Sequence, residues 1–185
     1  MGRAYKNFWS LNTDEAIVAG ILRNGTHKSI EVLMPLNAQM KDIDLVLMAI
    51  NNKRSLTIQV KGSRAYEPGI KEIMKYKEGS GGWFYFRKDV IFKSTADYFI
   101  FLIYVLEENK KAGRRIITPH TLTIPTKELK MLCEKNKKAG KGDMYNFFFW
   151  INPVTRNALE WRDNEYSVSK YLDKRGLDLL NNDLR

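Results

Sequence analysis

The residues best suited to chemistry in this chain are an aspartate, a glutamine and a lysine. Asp44 heads the apolar run Leu45-Val46-Leu47, and Gln59 and Lys61 alternate with Ile58 and Val60. Side chains of an extended chain alternate between two faces. Gln59 and Lys61 therefore share a face with Thr57, opposite Leu56, Ile58 and Val60, while Asp42 and Asp44 share one with Val46 and Met48. If residues 42–50 and 55–61 are neighbouring strands joined by the turn Asn51-Asn52-Lys53-Arg54, an acid, an amide and an amine meet at one sheet edge. Carboxylate and amide oxygens are hard ligands suited to Mg²⁺, which keeps most of its waters and favours few protein ligands. Such a cation polarises a phosphoryl oxygen and lowers the pKa of a bound water, and a lysine beside it orients the nucleophile or stabilises developing negative charge. Each run taken singly is an ordinary strand face; their order and consistent placement point to a site.

The elements needed to position these residues are legible around them. Thr13 caps a helix over residues 14–23, with Asp14 and Glu15 at its positive end and Asn24-Gly25 as its stop. Residues 28–34 read as a strand ending before Pro35. Beyond Lys61 the chain carries scattered glycines, with a helical turn at 70–76 and a short extended piece at 83–86 whose aromatic residues are expected mostly in the core. Residues 97–106 are almost continuously apolar, as in a central strand buried on both faces, and a basic loop over 107–115 follows. A strand at 121–124, a helix from Thr126 to about 135, a basic link at 137–142, an aromatic strand at 144–151 and a terminal helix over 167–180, interrupted at Gly176, complete the reading. The class is α/β or α+β, in one domain covering residues 1–185.

Composition narrows the function. Lys and Arg total 31 against 21 acidic residues, a formal charge of +10, so polyanions are natural partners and their binding should weaken with salt. The longest apolar run, residues 98–106, is too short to cross a membrane, and the charged, polar start of the chain lacks the apolar stretch of a signal peptide; a cytoplasmic location is expected. The single cysteine, Cys133, can form no internal disulfide, and His27 and His120 stand in no metal-ligand spacing.

The run Asp42-Ile43-Asp44-Leu45-Val46-Leu47 followed by Ile58-Gln59-Val60-Lys61-Gly62-Ser63-Arg64 resembles the core of the PD-(D/E)XK (restriction-endonuclease-like) nucleases, and the helix-strand-strand-strand order resembles it too. The resemblance spans about residues 13–124 and leaves 125–185 as a C-terminal extension. It implies an αβββαβ core whose mixed central sheet is flanked by helices. It further implies Asp44 as a metal-binding aspartate, Gln59 at the usual glutamate position, Lys61 as the family lysine, and the Val60 carbonyl as a further ligand of Mg²⁺ or Mn²⁺. Ile43 replaces the family proline, and Gln59 removes one negative charge, a variant similar to that of Mrr-like members. Glu15 resembles the helix glutamate that some members add to the catalytic set; Asp42 is the alternative second carboxylate. Ser63, Arg64, Lys71 and Lys75 are the expected nucleic-acid contacts, since such types suit phosphate. The expected activity is endonucleolytic hydrolysis of DNA, in restriction or repair, with RNA the other polyanion that fits. A homodimer would supply two sites for two strands. The competing expectation is an inactive nucleic-acid-binding or assembly protein on the same fold; a third is self-association through Phe147, Phe148, Phe149 and Trp150.

Overall fold

The near-continuous apolar run at residues 98–106 organises the architecture, because a strand with no polar face must be covered on both sides. The computed structural model of the chain describes residues 13–35, 42–109, 113–136 and 139–185. The elements run α1 (Thr13–Gly25), β1 (Ile30–Leu33), β2 (Leu45–Ala49), β3 (Ser55–Gly62), α2 (Ile70–Tyr76), β4 (Ser80–Arg87), α3 (Lys88–Phe92), β5 (Tyr98–Asn109), β6 (Arg114–Pro125), α4 (Thr126–Asn136), β7 (Met144–Asn152), β8 (Asn157–Glu160), β9 (Tyr166–Ser167), a 3-10 turn (Ser169–Tyr171) and α5 (Lys174–Asp183). They form a mixed α+β structure. One sheet has the order β1-β2-β3-β5-β6, antiparallel except for the parallel pair β3–β5, and a second has the order β4-β7-β8-β9.

The two faces of β5 are covered differently. Tyr98, Ile100 and Leu102 join Leu45, Leu47, Ile58 and Val60 beneath Val18 and Leu22 of α1 and Leu177 and Leu180 of α5. Phe99, Phe101 and Ile103 turn to the other side, where Phe84 of β4 and Phe147 and Phe149 of β7 meet them, with Ile91 of α3 and Leu129 and Cys133 of α4 closing the end. The expected helix-flanked sheet is therefore corrected on one side: helices cover the aliphatic face, and a second sheet, with α3 and α4, covers the aromatic one. Residues expected as an extension after 124 supply part of both layers.

Several boundaries also differ from expectation. The stretch read as a basic loop after residue 106 continues as strand, because β5 and β6 pair along twelve residues each, with Glu107 opposite Ile116. The aromatic stretch of β4 alternates: Phe84 is buried and Phe86 half-buried, whereas Trp83 and Tyr85 are exposed. The terminal helix breaks at Leu172–Asp173, where Asp173 has φ +47°, and not at Gly176. Gly176 lies inside α5, where a β-carbon would run into the Tyr171 carbonyl and Thr123. The expected features at residues 1–12, 110–112 and 137–138 lie outside the described residues. Among the described residues no helix is long and apolar enough to cross a membrane.

Candidate functional site

Register puts the chemical residues at one end of the β2–β3 pair. The turn after Ala49 is held by Ala49 N–H donating to the Arg54 carbonyl (2.8 Å) and by the Asn52 side chain accepting from the Arg54 amide (3.0 Å). Leu45 is thereby set opposite Ile58 and Leu47 opposite Leu56. A slip of one residue would turn Gln59 and Lys61 to the helix side. In the parallel pair with β5, Gln59 stands beside Phe99 and Lys61 beside Phe101, so both belong to the aromatic face, as the period of two requires.

The alternation does not extend to Asp44. Its amide donates to the Ile58 carbonyl (2.8 Å), the residue that Leu45 also faces. Asp44 lies in a bend just before β2 begins at Leu45, where the regular pairing with β3 ends. The Asp44 carboxylate turns toward β3 and accepts the Val60 amide (2.7 Å), in the place a backbone carbonyl would fill in an unbroken ladder. Extended backbone sends the N–H and C=O of one residue the same way, so the Val60 carbonyl also points to the β2 side, beyond the last paired residue of β2.

Lys61 is half-buried, and burial lowers its pKa; the charges of Asp44, Asp42 and Glu15 oppose that shift without cancelling it. These three carboxylates thus lie within electrostatic reach of one ammonium. Glu15 reaches this neighbourhood from the opposite side of the sheet, and the means is local. The carboxylate of Asp14 occupies the space that a β-carbon on Gly62 would need, and it accepts from the Tyr104 hydroxyl (2.9 Å). Burial and that hydrogen bond push the Tyr104 phenol up to about 12. The start of α1 is fastened to the end of β3 through the glycine that follows Lys61. This fastening was missed in the sequence, although a glycine directly after the lysine and a second acid beside Glu15 were its signals.

Gln59 is 3% exposed, and its Oε1 has no hydrogen-bond partner among the described residues. An orphaned buried amide oxygen costs stability unless something satisfies it. The candidate oxygen donors are the Asp44 carboxylate, the Val60 carbonyl and, on the residue before Val60, this buried carboxamide oxygen, all of the hard type that suits Mg²⁺ or Mn²⁺. Among the described residues no three His, Cys, Asp or Glu side chains gather as a metal cluster, so the set carries little negative charge.

The expected nucleic-acid contacts separate. Arg64 and Lys71 are exposed. Ser63 is corrected: it is buried, with its hydroxyl against Gly82 of β4, and does not face solvent. Lys75 is exposed but engaged by Glu165 (2.6 Å), with its ammonium also over the Tyr76 ring, so its charge is largely answered within the chain. A cleft lined by His27, Ser29, Asn51, Asn52 and Asn181 lies at the far end of β2 from Asp44 and contributes nothing to this site. No family model, no curated protein and no solved structure matches the chain.

Proposed function

We propose that the chain is a divalent-metal-dependent endonuclease on a restriction-endonuclease-like core, hydrolysing phosphodiester bonds of DNA at the end of β2 and β3. The observation that carries this reading is the Asp44 carboxylate, which accepts the Val60 amide at the start of β2 within electrostatic reach of a half-buried lysine whose pKa is lowered. The order α1-β1-β2-β3 followed by β5 parallel to β3 is compatible with the expected core. Asp44, Gln59 through Oε1 and Val60 through its carbonyl would hold the ion. When bound, it would supply Lewis acidity to the phosphoryl oxygen and an acidified water.

The side chains of this protein do the remainder. Asp44 is oriented by the Val60 amide. Lys61, partly desolvated, gives up a proton more readily than a surface lysine; it can take one from an attacking water or, when protonated, stabilise the charge growing on phosphorus-bound oxygen. Glu15 and Asp42 act on Lys61 electrostatically and favour its charged form.

Purified protein should cut DNA with Mg²⁺ or Mn²⁺ and not with chelator. Lys61→Ala should lower the rate by about 10²- to 10⁴-fold, the usual worth of a positioned acid–base group, while salt-sensitive DNA binding persists. If no duplex, branched or single-stranded DNA is cut, or if Lys61→Ala cuts like the parent, the nuclease reading falls. DNA binding without turnover would assign the fold to a binding or assembly role, with Gln59 marking the lost charge.

A further inference from the structure

Trp83 and Tyr85 are 56% and 57% exposed, two residues apart on the outer face of β4, the face turned away from the aromatic core. Their neighbours on β7 are Phe148, opposite Trp83, and Asn146, opposite Tyr85. The outer face is roofed only in part. Tyr66 packs edge-on against Phe148 (5.0 Å), and Tyr76 of α2 covers Trp150 (5.0 Å) and Trp161 (6.2 Å). The other part carries Trp83, Tyr85, Asn146 and Arg87 with no such cover among the described residues.

We infer that this open part of the second sheet is a stacking platform for single-stranded nucleic acid, in which Trp83 and Tyr85 each take one base. Trp83 is held in place: its indole N–H donates to Asn146 Oδ1 (2.9 Å), so the ring's only donor is used within the protein and what remains to offer is the π-face. Alternate residues of a strand are about 6.6 Å apart, roughly twice the ~3.4 Å rise of bases in a duplex strand. Two rings at that spacing suit bases drawn out of their own stack, and not a paired helix. Exposed Arg87, whose Nε leans on Asp89 (3.4 Å), and exposed Lys88 directly follow the platform in sequence, and the chain's charge of +10 favours a polyanion over a second copy of itself. Gly82, next to Trp83, lies against Ser63 and Ile103 on the inner face of β4, so the platform and the proposed catalytic end are on opposite faces of the second sheet. The inference rests on the nucleic-acid reading above but needs no hydrolysis.

The test is fluorescence anisotropy with the full chain in chelator, using labelled twenty-nucleotide oligo-dT, oligo-rU and a mixed-sequence duplex of equal length. Trp83→Ala should weaken single-strand binding about five- to hundred-fold, the usual worth of one base–aromatic stack, with the salt slope and duplex binding unchanged. Trp83→Phe should retain most of the affinity. A preference between the two sugars would tell which nucleic acid the platform favours. An unchanged thermal midpoint shows that Trp83→Ala is folded, and sedimentation reports its assembly state. Equal single-strand affinity of Trp83→Ala and the parent overturns the inference, as does a parent dimer that Trp83→Ala dissociates, which would give the face to self-association. Because cleavage is not read, a catalytically dead protein still answers this question, and a failed platform leaves metal-dependent cutting of duplex intact.

Discussion

The face of the five-stranded sheet turned to α1 and α5 is built mainly of Leu, Ile and Val, whereas the layer between the two sheets centres on a cluster of Phe rings among aliphatic residues. Phe101 lies within 6.4 Å, ring centre to ring centre, of Phe84, Phe86, Phe99, Phe147 and Phe149, while its chain neighbour Ile100 looks the other way into branched aliphatics. Helix ridges accept short branched side chains; two pleated sheets about 10 Å apart are filled better by flat rings of larger area. On β3 the polar interruptions fall on one side only, whereas on β6 the buried Thr121 and Thr123, beside Leu102 and Ile100, lie on the aliphatic face. On β3 the aliphatic face carries Ile58 and Val60 without a break, and the aromatic face carries Gln59 and Lys61. Polar groups are placed where burying them is costly, which is where a site and a stability optimum come into conflict.

Truncating neighbours on opposite faces of β5 separates the contributions of the two layers. Phe101→Ala should destabilise by about 4 kcal/mol and Ile100→Ala by about 3 kcal/mol, since removing a ring takes away more packed atoms than removing a branched aliphatic chain. Urea unfolding of both variants measures the difference. A larger loss at Ile100 would make the aliphatic layer the dominant core.

A smaller effect of opposite sign is expected at Gln59. Replacing its orphaned amide by Leu removes a desolvated oxygen and should raise stability by about 1–3 kcal/mol, which for a chain of this size is a few degrees in Tm. Calorimetric binding of Mn²⁺ should weaken in the same variant. If Gln59→Leu loses stability, the amide makes an interaction that outweighs its burial, and the conflict between site and stability does not exist at this residue.

The sequence carried the parts of this arrangement that depend on local pattern. Thr13, Asp14 and Glu15 open α1; the turn at Asn51–Arg54 and the alternation of Ile58-Gln59-Val60-Lys61 were readable because helix ends, tight turns and strand faces are set by near neighbours. The bend at Asp44 was not readable: nothing in Ile43-Asp44-Leu45 announces that the Asp44 amide will turn to the Ile58 carbonyl, since that is decided by where β2 parts from β3. The second sheet was likewise hidden, because β4 pairs with β7 across some sixty residues of chain and neither strand names its partner. Its alternation was available, since in Trp83-Phe84-Tyr85-Phe86 the rings with a polar handle are the exposed ones and the plain Phe rings point inward.

The subtlest expected effect concerns the edge of the sheet farthest from the site. At β6, Asp173 accepts the Thr121 amide (3.0 Å) and donates its own amide to the Thr121 carbonyl (2.8 Å), closing the strand edge with the residue whose φ is positive. His120 bridges the same aspartate through Nδ1 (2.7 Å) and Glu107 through Nε2 (3.3 Å). Burial disfavours the charged ring, but the hydrogen bonds and charges of Asp173 and Glu107 outweigh it, and the His120 pKa is raised above its ordinary value of 6.5. A folded-state pKa above the unfolded one means that the native state binds the proton more tightly. The resulting stabilisation is complete below about pH 6.5, the unfolded value, and is lost as pH climbs through the raised folded value. Unfolding free energies of the parent and His120→Gln, compared in steps from pH 5.5 to 8.5, should differ most at the acid end and converge toward the alkaline end. A gap that stays constant or widens with pH would mean that His120 is neutral between its two carboxylates and that the edge closes through the Asp173–Thr121 pair alone.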